Sequence, residues 1–228
     1  MDTALVTGAT SGIGRAIALK LAQQGCRVLA MGRKAEALEE LAVHASITPI
    51  SVDLMDREAV RKAIADTPID ILVNNAGIMP PMEAFQEASQ DDIDAAIAVN
   101  FSSQVALTHL LVPGMCLRGH GHVFFTGSTA GHAAFPRMAV YCATKAAIGS
   151  FAQALRLDVA ACGVHVTEIV AGRVETNLYS NILPEEKRAA MYAGRAVVQP
   201  QDVAEMLSSV LAMPPSVDVS RFDIVPAQ

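Results

Sequence analysis

Residues 3–14 read T-A-L-V-T-G-A-T-S-G-I-G. A short apolar run over 3–7 leads into a glycine-rich turn over 8–14, and a 3.6-residue apolar period follows over 15–24. That order is strand, turn, helix. Glycines let a backbone come close to a phosphate, and a helix N-terminus offers free N–H groups and a positive dipole end. Alone, such a stretch is a tight turn. Opening a helix directly after a strand, it predicts a dinucleotide site built from Gly8, Thr10, Ser11, Gly12, Ile13 and Gly14.

The next strand, 27–31, runs into Gly32, Arg33 and Lys34. In a dinucleotide fold the end of this strand meets the adenosine ribose. An acid there accepts from a free 2′-hydroxyl, whereas a guanidinium pairs with a 2′-phosphate. Two cations and no acid favour NADP(H) over NAD(H). The plainer reading is that Arg33 and Lys34 only open a solvated helix over 35–44.

Strand 47–52 ends in Asp53 and Leu54; Asp53 either caps the next helix or faces an adenine edge. Strand 70–73 ends in N-N-A-G, residues 74–77, which suits close packing on a ribose and also the tying of neighbouring strands. A long helix is expected over 91–111. Asn100 is a poor residue for its middle and calls for a kink or a water held at an active site. Strand 119–126 leads to Gly127 and Ser128; His120 and His122 at its start are expected at the surface, with no metal site.

A helix over 139–161 carries Tyr141 and Lys145 one turn apart on one face. Strand 164–170 is followed by A-G-R-V-E-T, 171–176, and by an irregular segment, 177–199, with Tyr179, Met191 and Tyr192. It stands after the C-terminal end of a strand, where ligands bind in such sheets, and is expected to be a lid. A capped helix over 200–213 and a strand over 222–225 complete the chain.

Hydrophobic residues are 52% and charged ones 18% of the 228, with 4% aromatics, so a large core of Ala, Val, Leu, Ile and Met is available. This suits one α/β domain, a doubly wound parallel sheet with helices on both faces. A formal charge of -6 argues against nucleic-acid binding. The four cysteines, Cys26, Cys116, Cys142 and Cys162, are far apart in sequence and read as reduced core residues. With no leader-like start and no uninterrupted apolar run near the ~18 residues of a membrane span, a cytoplasmic protein is expected. A mean hydropathy of +0.35 suggests apolar surface buried between subunits.

T-G-A-T-S-G-I-G (7–14), N-N-A-G (74–77), Asn100, Ser128 and Y-C-A-T-K (141–145), in this order and spacing over the whole chain, resemble the short-chain dehydrogenase/reductases. The resemblance implies a Rossmann-like domain over 1–228 with a seven-stranded parallel sheet, and hydride transfer between a nicotinamide and a small alcohol or carbonyl substrate. It implies a catalytic tetrad of Asn100, Ser128, Tyr141 and Lys145. It also implies cofactor contacts from the glycine turn, Arg33, Lys34, Asp53, Leu54, Asn75, Ala76, Gly77, Tyr141, Lys145, Gly172, Val174 and Thr176. Within the family, M-G-R-K (31–34), L-V-P-G-M (111–115), G-S-T-A-G (127–131) and the terminal V-P-A-Q are similar to bacterial NADP-dependent 3-hydroxy acid dehydrogenases acting on serine or allo-threonine. A homodimer or homotetramer is implied as well. Where the family usually has Pro-Gly after the sixth strand, this chain has Ala171-Gly172, which is expected to loosen that turn.

A free tyrosine, with a pKa near 10, is a poor base at neutral pH. A Lys145 ammonium one turn away, and the positive ring of an oxidised cofactor, are expected to lower it by roughly three units. Ser128 would hold the substrate oxygen, and Asn100 a water that relays protons to Lys145. His132, Arg137 and Arg173 near the pocket mouth could pair with a substrate carboxylate or be solvated loop charges. Alternatives are a general carbonyl or 3-oxoacyl reductase, and a non-catalytic dinucleotide-binding regulator.

Overall fold

Strand β1 (Thr3–Thr7) lies inside a parallel sheet, paired on one side with β2 (Arg27–Gly32) and on the other with β4 (Ile71–Asn74). The sheet has seven strands in the order β3-β2-β1-β4-β5-β6-β7. β3 (Ile47–Ser51), β5 (Gly121–Thr126), β6 (Val164–Ala171) and β7 (Arg221–Ile224) extend it outward. Strand order reverses between β1 and β4, and such a crevice is where α/β sheets bind ligands. The computed structural model describes residues 1–65, 67–193 and 197–227.

The strands alternate between two buried faces. Ala4, Val6, Val28, Ala30, Val73, Phe124 and Ile169 pack under α1 (Gly12–Gln23), α2 (Ala35–Glu39) and α8 (Pro200–Leu211). Leu5, Leu29, Leu72, Val123, Phe125 and Val166 pack under α3 (Arg57–Ile64), α5 (Ser103–Arg118) and α6 (Ala139–Val159). The first of these helices begins three residues earlier than the sequence period suggests, at Gly12. The helix expected over 35–44 is shorter: α2 ends at Glu39, and a single 3-10 turn, Leu41–Val43, follows.

The expected helix over 91–111 divides in an informative way. α4 (Gln90–Ile97) and α5 are joined by a π turn, Ala98–Ser102, with Asn100 inside it. The helix also runs past Pro113 to Arg118, where left-handed Gly119 (φ 75°) ends it. Burial of Leu107 and Met115 carries it through the proline, which forfeits one intrahelical hydrogen bond. Read as one helix, Gln90–Arg118 is long and apolar enough by length and mean composition to cross a membrane, although polar residues interrupt its apolar run. In the fold four of its polar residues point inward: Asn100, Ser103, Gln104 and Thr108 are buried, with Thr108 accepting from Asn74 Nδ2 at 3.0 Å and Gln104 donating to the Ala76 carbonyl at 2.9 Å.

Two side-chain expectations are corrected. His122 is not a surface residue: it stacks on Phe124 at 4.0 Å between centroids and meets Thr167 Oγ1 at 2.8 Å, and burial pulls its pKa down to about 3. All four cysteines are free and half-buried, but Cys116 and Cys162, remote in sequence, bring their thiols within hydrogen-bonding reach. Among the described residues no three His, Cys, Asp or Glu side chains form a metal-binding group.

Candidate active site

The crevice is built from strand ends. Thr7 Oγ1 accepts the backbone N–H groups of Asn75 (3.0 Å) and Ala76 (3.1 Å) and donates to the Val73 carbonyl. Asn75 Nδ2 donates to the Thr7 carbonyl at 3.0 Å, and its Oδ1 accepts from Thr126 Oγ1 at 3.3 Å. One amide thus joins β1, β4 and β5. The tying role expected of the N-N-A-G segment is what these contacts describe.

The glycine turn closes on that junction. Gly8 (φ 65°) and Gly12 (φ 52°) hold the left-handed conformation the turn requires. A Cβ on Gly14 would strike the Asn75 amide at 2.5 Å, so α1 enters close against the sheet. Ser11 stands at the N-cap of α1 without a side-chain hydrogen bond, leaving the first-turn N–H groups free for another acceptor. Uncapped N–H groups above a glycine-rich turn fit a dinucleotide pyrophosphate. Beside it, the end of β2 exposes Arg33 and Lys34, and a Cβ on Gly32 would touch Thr10 at 2.7 Å. The basic pair therefore adjoins the glycine turn. Asp53 accepts from the Met55 N–H at 2.9 Å, closing a local turn, and the cap of α3 is Asp56, which accepts from the Ala59 N–H at 2.9 Å.

Tyr141 and Lys145 sit in the first turns of α6, both buried. Lys145 Nζ donates to the Thr126 carbonyl at the end of β5 at 2.7 Å and lies 5.8 Å from the Tyr141 ring centroid. Ser128 leaves the same strand end. Its hydroxyl accepts from the Ala130 N–H at 3.1 Å and lies close enough to the Tyr141 phenol to pull that group's pKa downward. Asn100 is fully buried: Oδ1 accepts from the Ile78 N–H at 2.8 Å, and Nδ2 donates to the Ile78 carbonyl at 2.9 Å and to Thr144 Oγ1 at 3.3 Å. Of the two reasons expected for a mid-helix asparagine, the structure displays the kink. A Cβ on Gly77 would lie 3.4 Å from Asn100 Oδ1 and 3.7 Å from Lys145 Nζ. The four sequence-predicted catalytic residues are therefore brought together over the ends of β4 and β5.

Electrostatics differ from the sequence expectation. Burial pushes the Tyr141 phenol well above its ordinary value; Tyr179 adds to this, and the Ser128 hydroxyl pulls partway back. Burial pulls Lys145 down to about 8, against an upward pull from Glu168. The expected fall at Tyr141 is absent from the protein itself because both groups are desolvated together. A phenol held neutral is a proton donor.

The segment expected to be a lid begins as a roof. Leu178, Tyr179 and Ile182 pack with Met79, Ala130 and Met138 over Tyr141. It continues as α7 (Glu185–Tyr192), with Tyr192 Oη donating to the Val174 carbonyl at 3.4 Å; residues 194–196 of the expected lid lie outside the described residues. Thr176 touches the glycine turn: a Cβ on Gly12 would lie 3.1 Å from its methyl. Between that turn and α7 a cleft of about 400 Å³ opens, lined by Gly12, Arg15, Thr176, Glu185 and Arg188 among others. In the turn after Ala171 the Gly172 N–H donates to the Ile224 carbonyl at 2.8 Å, and Val174 bridges Val198. Arg137 and Arg173 are exposed, Arg137 with φ 63°. His132 is exposed too, but its Nε2 lies 3.1 Å from the buried Glu168 Oε1. Sequence reasoning missed Thr7, Thr144 and Glu168; an acid inside the apolar run V-H-V-T-E-I-V was a legible signal for the last.

A family model for short chain dehydrogenase matches residues 2–187. The chain belongs to the short-chain dehydrogenase/reductase family. A short-chain dehydrogenase/reductase of Sinorhizobium fredii, y4eK, described as uncharacterized, is 46% identical over 226 residues, 99% of this chain and 91% of that relative. The NADP-dependent 3-hydroxy acid dehydrogenase YdfG of Escherichia coli strain K12 is 36% identical over 232 residues, covering 97% of this chain and 94% of its own. Among solved structures, the closed form of serine dehydrogenase complexed with NADP+ superposes with a TM-score of 0.95 at 35% identity, over 98% of this chain and 94% of that one. Serine dehydrogenase from Escherichia coli gives 0.85 at the same identity, over 98% and 97%. This family member thus has the seven-stranded parallel architecture of those enzymes.

Proposed function

We propose that this short-chain dehydrogenase/reductase is an NADP(H)-dependent oxidoreductase acting on a small alcohol or carbonyl substrate, with 3-hydroxy acids as the favoured class. The observation that carries the reading is the buried Tyr141 phenol, beside Ser128 and one turn from Lys145, under an apolar roof. NADP-dependent relatives and an NADP+-bound neighbour support the cofactor, and so do the exposed Arg33 and Lys34 beside the glycine turn.

When bound, the nicotinamide supplies or receives the hydride. Gly8, Ser11, Gly12 and the first turn of α1 would hold the pyrophosphate, and Arg33 and Lys34 the 2′-phosphate. Ile13, Thr10, Leu54, Asp53, Ala76 and Gly77 would flank the adenosine half, and Gly172, Val174 and Thr176 the nicotinamide half. Tyr141, neutral in its buried setting, donates its proton to a carbonyl oxygen in the reductive direction. Ser128 holds that oxygen through its hydroxyl. Lys145, anchored on the Thr126 carbonyl, places a positive charge one turn from the phenolate left behind and stabilises it. Asn100 keeps the π turn fastened to Ile78, which sets the loop after β4 against Lys145. The roof over Tyr141 excludes water from the transfer.

The deciding experiment is a panel run with both nicotinamides: L-serine, L-allo-threonine and 3-hydroxybutanoate oxidised with NADP+ or NAD+, and 3-oxoacyl thioesters and simple ketones reduced with NADPH or NADH. Preferred turnover of hydroxy acids with NADP+ supports the reading. Preference for 3-oxoacyl thioesters moves the chain to the reductases resembled by the 25% identical Brucella melitensis neighbour. Exposed Leu117 (90%) and Leu157 (70%) on α5 and α6 support a homodimer or homotetramer, and a monomer by sedimentation would remove that reading.

A further inference from the structure

Glu168 is a glutamate on the inside of the sheet. Alternation along β6 puts Val164, Val166 and Glu168 on the face that α6 covers, and the Glu168 side chain is 1% exposed. A carboxylate in such a place costs several kcal/mol unless it is paired and hydrogen-bonded. Here the pairing is partial. His132 Nε2 meets Oε1 at 3.1 Å, and Oε2 is buried without a hydrogen-bond partner. Two glycines make the room: a Cβ on Gly127 would lie 2.5 Å from Oε1, and one on Gly149 would lie 2.9 Å from it. Gly127 immediately precedes Ser128, and Gly149 stands one turn beyond Lys145 on α6. The carboxylate therefore backs the two elements that present Ser128 and Lys145. Its partner His132 ends the turn Thr129–Gly131 that Ser128 caps.

We propose that Glu168 is a positioning residue of this site: its buried carboxylate anchors His132, and with it the turn carrying Ser128, and stands as the counter-charge to the Lys145 ammonium. The inference rests on the oxidoreductase reading given above.

The groups that face this pair come from every neighbouring element. β5 offers the Thr126 carbonyl and Gly127, without charge. The loop after β4 and the π turn offer Gly77 and Asn100, also neutral. α6 offers Tyr141 and Cys142, and the roof offers Tyr179, with Arg173 acting on that phenol. β7 sets Arg221 in register with Glu168, but Arg221 pairs with Asp223 at the surface at 2.9 Å. Burial draws Lys145 down to about 8, and the carboxylate of Glu168 is the group acting upward. Removing that charge leaves burial unopposed, so the ammonium is lost at a lower pH.

The test uses full-length protein with ¹³C-labelled lysine, the Lys145 signal being assigned by its loss in Lys145→Met. Glu168→Gln is expected to move the Lys145 titration down by about one pH unit. It is also expected to lower kcat roughly tenfold on the best substrate of the panel, with its high-pH limb displaced by the same amount. His132→Ala leaves the Lys145 titration in place but lowers kcat, and His132→Gln, which still donates to the carboxylate, restores it. An unmoved Lys145 titration in Glu168→Gln, or wild-type kcat in His132→Ala, overturns the proposal. Should Glu168→Gln not fold, the contrast between His132→Ala and His132→Gln decides. Wild-type turnover in Tyr141→Phe would reject the oxidoreductase reading instead, and the Lys145 titration of the free protein would still report on Glu168.

Discussion

The Asn100 side chain binds both backbone polar groups of Ile78, accepting from its N–H at 2.8 Å and donating to its carbonyl at 2.9 Å. A residue in a π turn thereby fixes the loop that follows β4. Asn100→Ala removes both bonds and leaves two backbone groups without their side-chain partner. Unfolding in urea should show a loss of about 2–4 kcal/mol, together with a lower kcat. A variant as stable as the parent would mean that the loop is held elsewhere.

Tyr141→Phe removes one oxygen and keeps the ring in its pocket under Leu178 and Tyr179. The fold, read by circular dichroism, and NADPH affinity, read by fluorescence, should be unchanged, while turnover falls nearly to background. Retained turnover would assign the proton transfer to another group.

Arg33 and Lys34 are tested by replacing both with Ala. Loss of charge-assisted contacts to a 2′-phosphate should raise the Kd for NADPH roughly tenfold or more. The Kd for NADH, which lacks that phosphate, should stay where it was. Parallel weakening of both cofactors would sink the assignment.

His122 should make the fold acid-sensitive. Its pKa, near 6.5 in an unfolded chain, falls to about 3 in the folded protein, chiefly through burial. Its folded form is favoured fully above pH 6.5, and that advantage is lost as pH falls from 6.5 toward 3. The loss amounts to about 2 kcal/mol at pH 5. Urea unfolding at pH 7.5 and pH 5 should show a smaller difference for His122→Gln than for the parent. Equal differences would place the acid sensitivity at other groups.

The sheet was readable because each strand carries its own signal: apolar residues on both faces, a turn at its end, a helical period after it. The pairing of Tyr141 with Lys145 was readable for a similar reason, since a four-residue spacing on a helix fixes a shared face. What escaped depended on contacts between distant segments. His122 looked polar and peripheral until β6 supplied Thr167. The helix around Asn100 looked continuous, because a π turn leaves no mark beyond one poorly placed residue. His132 read either as a cation for substrate or as a solvated loop charge, and only the fold set it against Glu168. The Tyr141 expectation failed on solvation: spacing gave the neighbouring charge correctly but could not weigh the cost of taking both groups out of water.

Asn75, bonded to Thr7 and Thr126, requires β1, β4 and β5, the first of them far from the others in the chain, to be docked at once. The site therefore has no stable half-formed version. Its amide protons should exchange with solvent only through global opening, at the slow limit set by the whole domain. Loss of activity on heating or in denaturant should then coincide with loss of the sheet, with no inactive but folded stage before it.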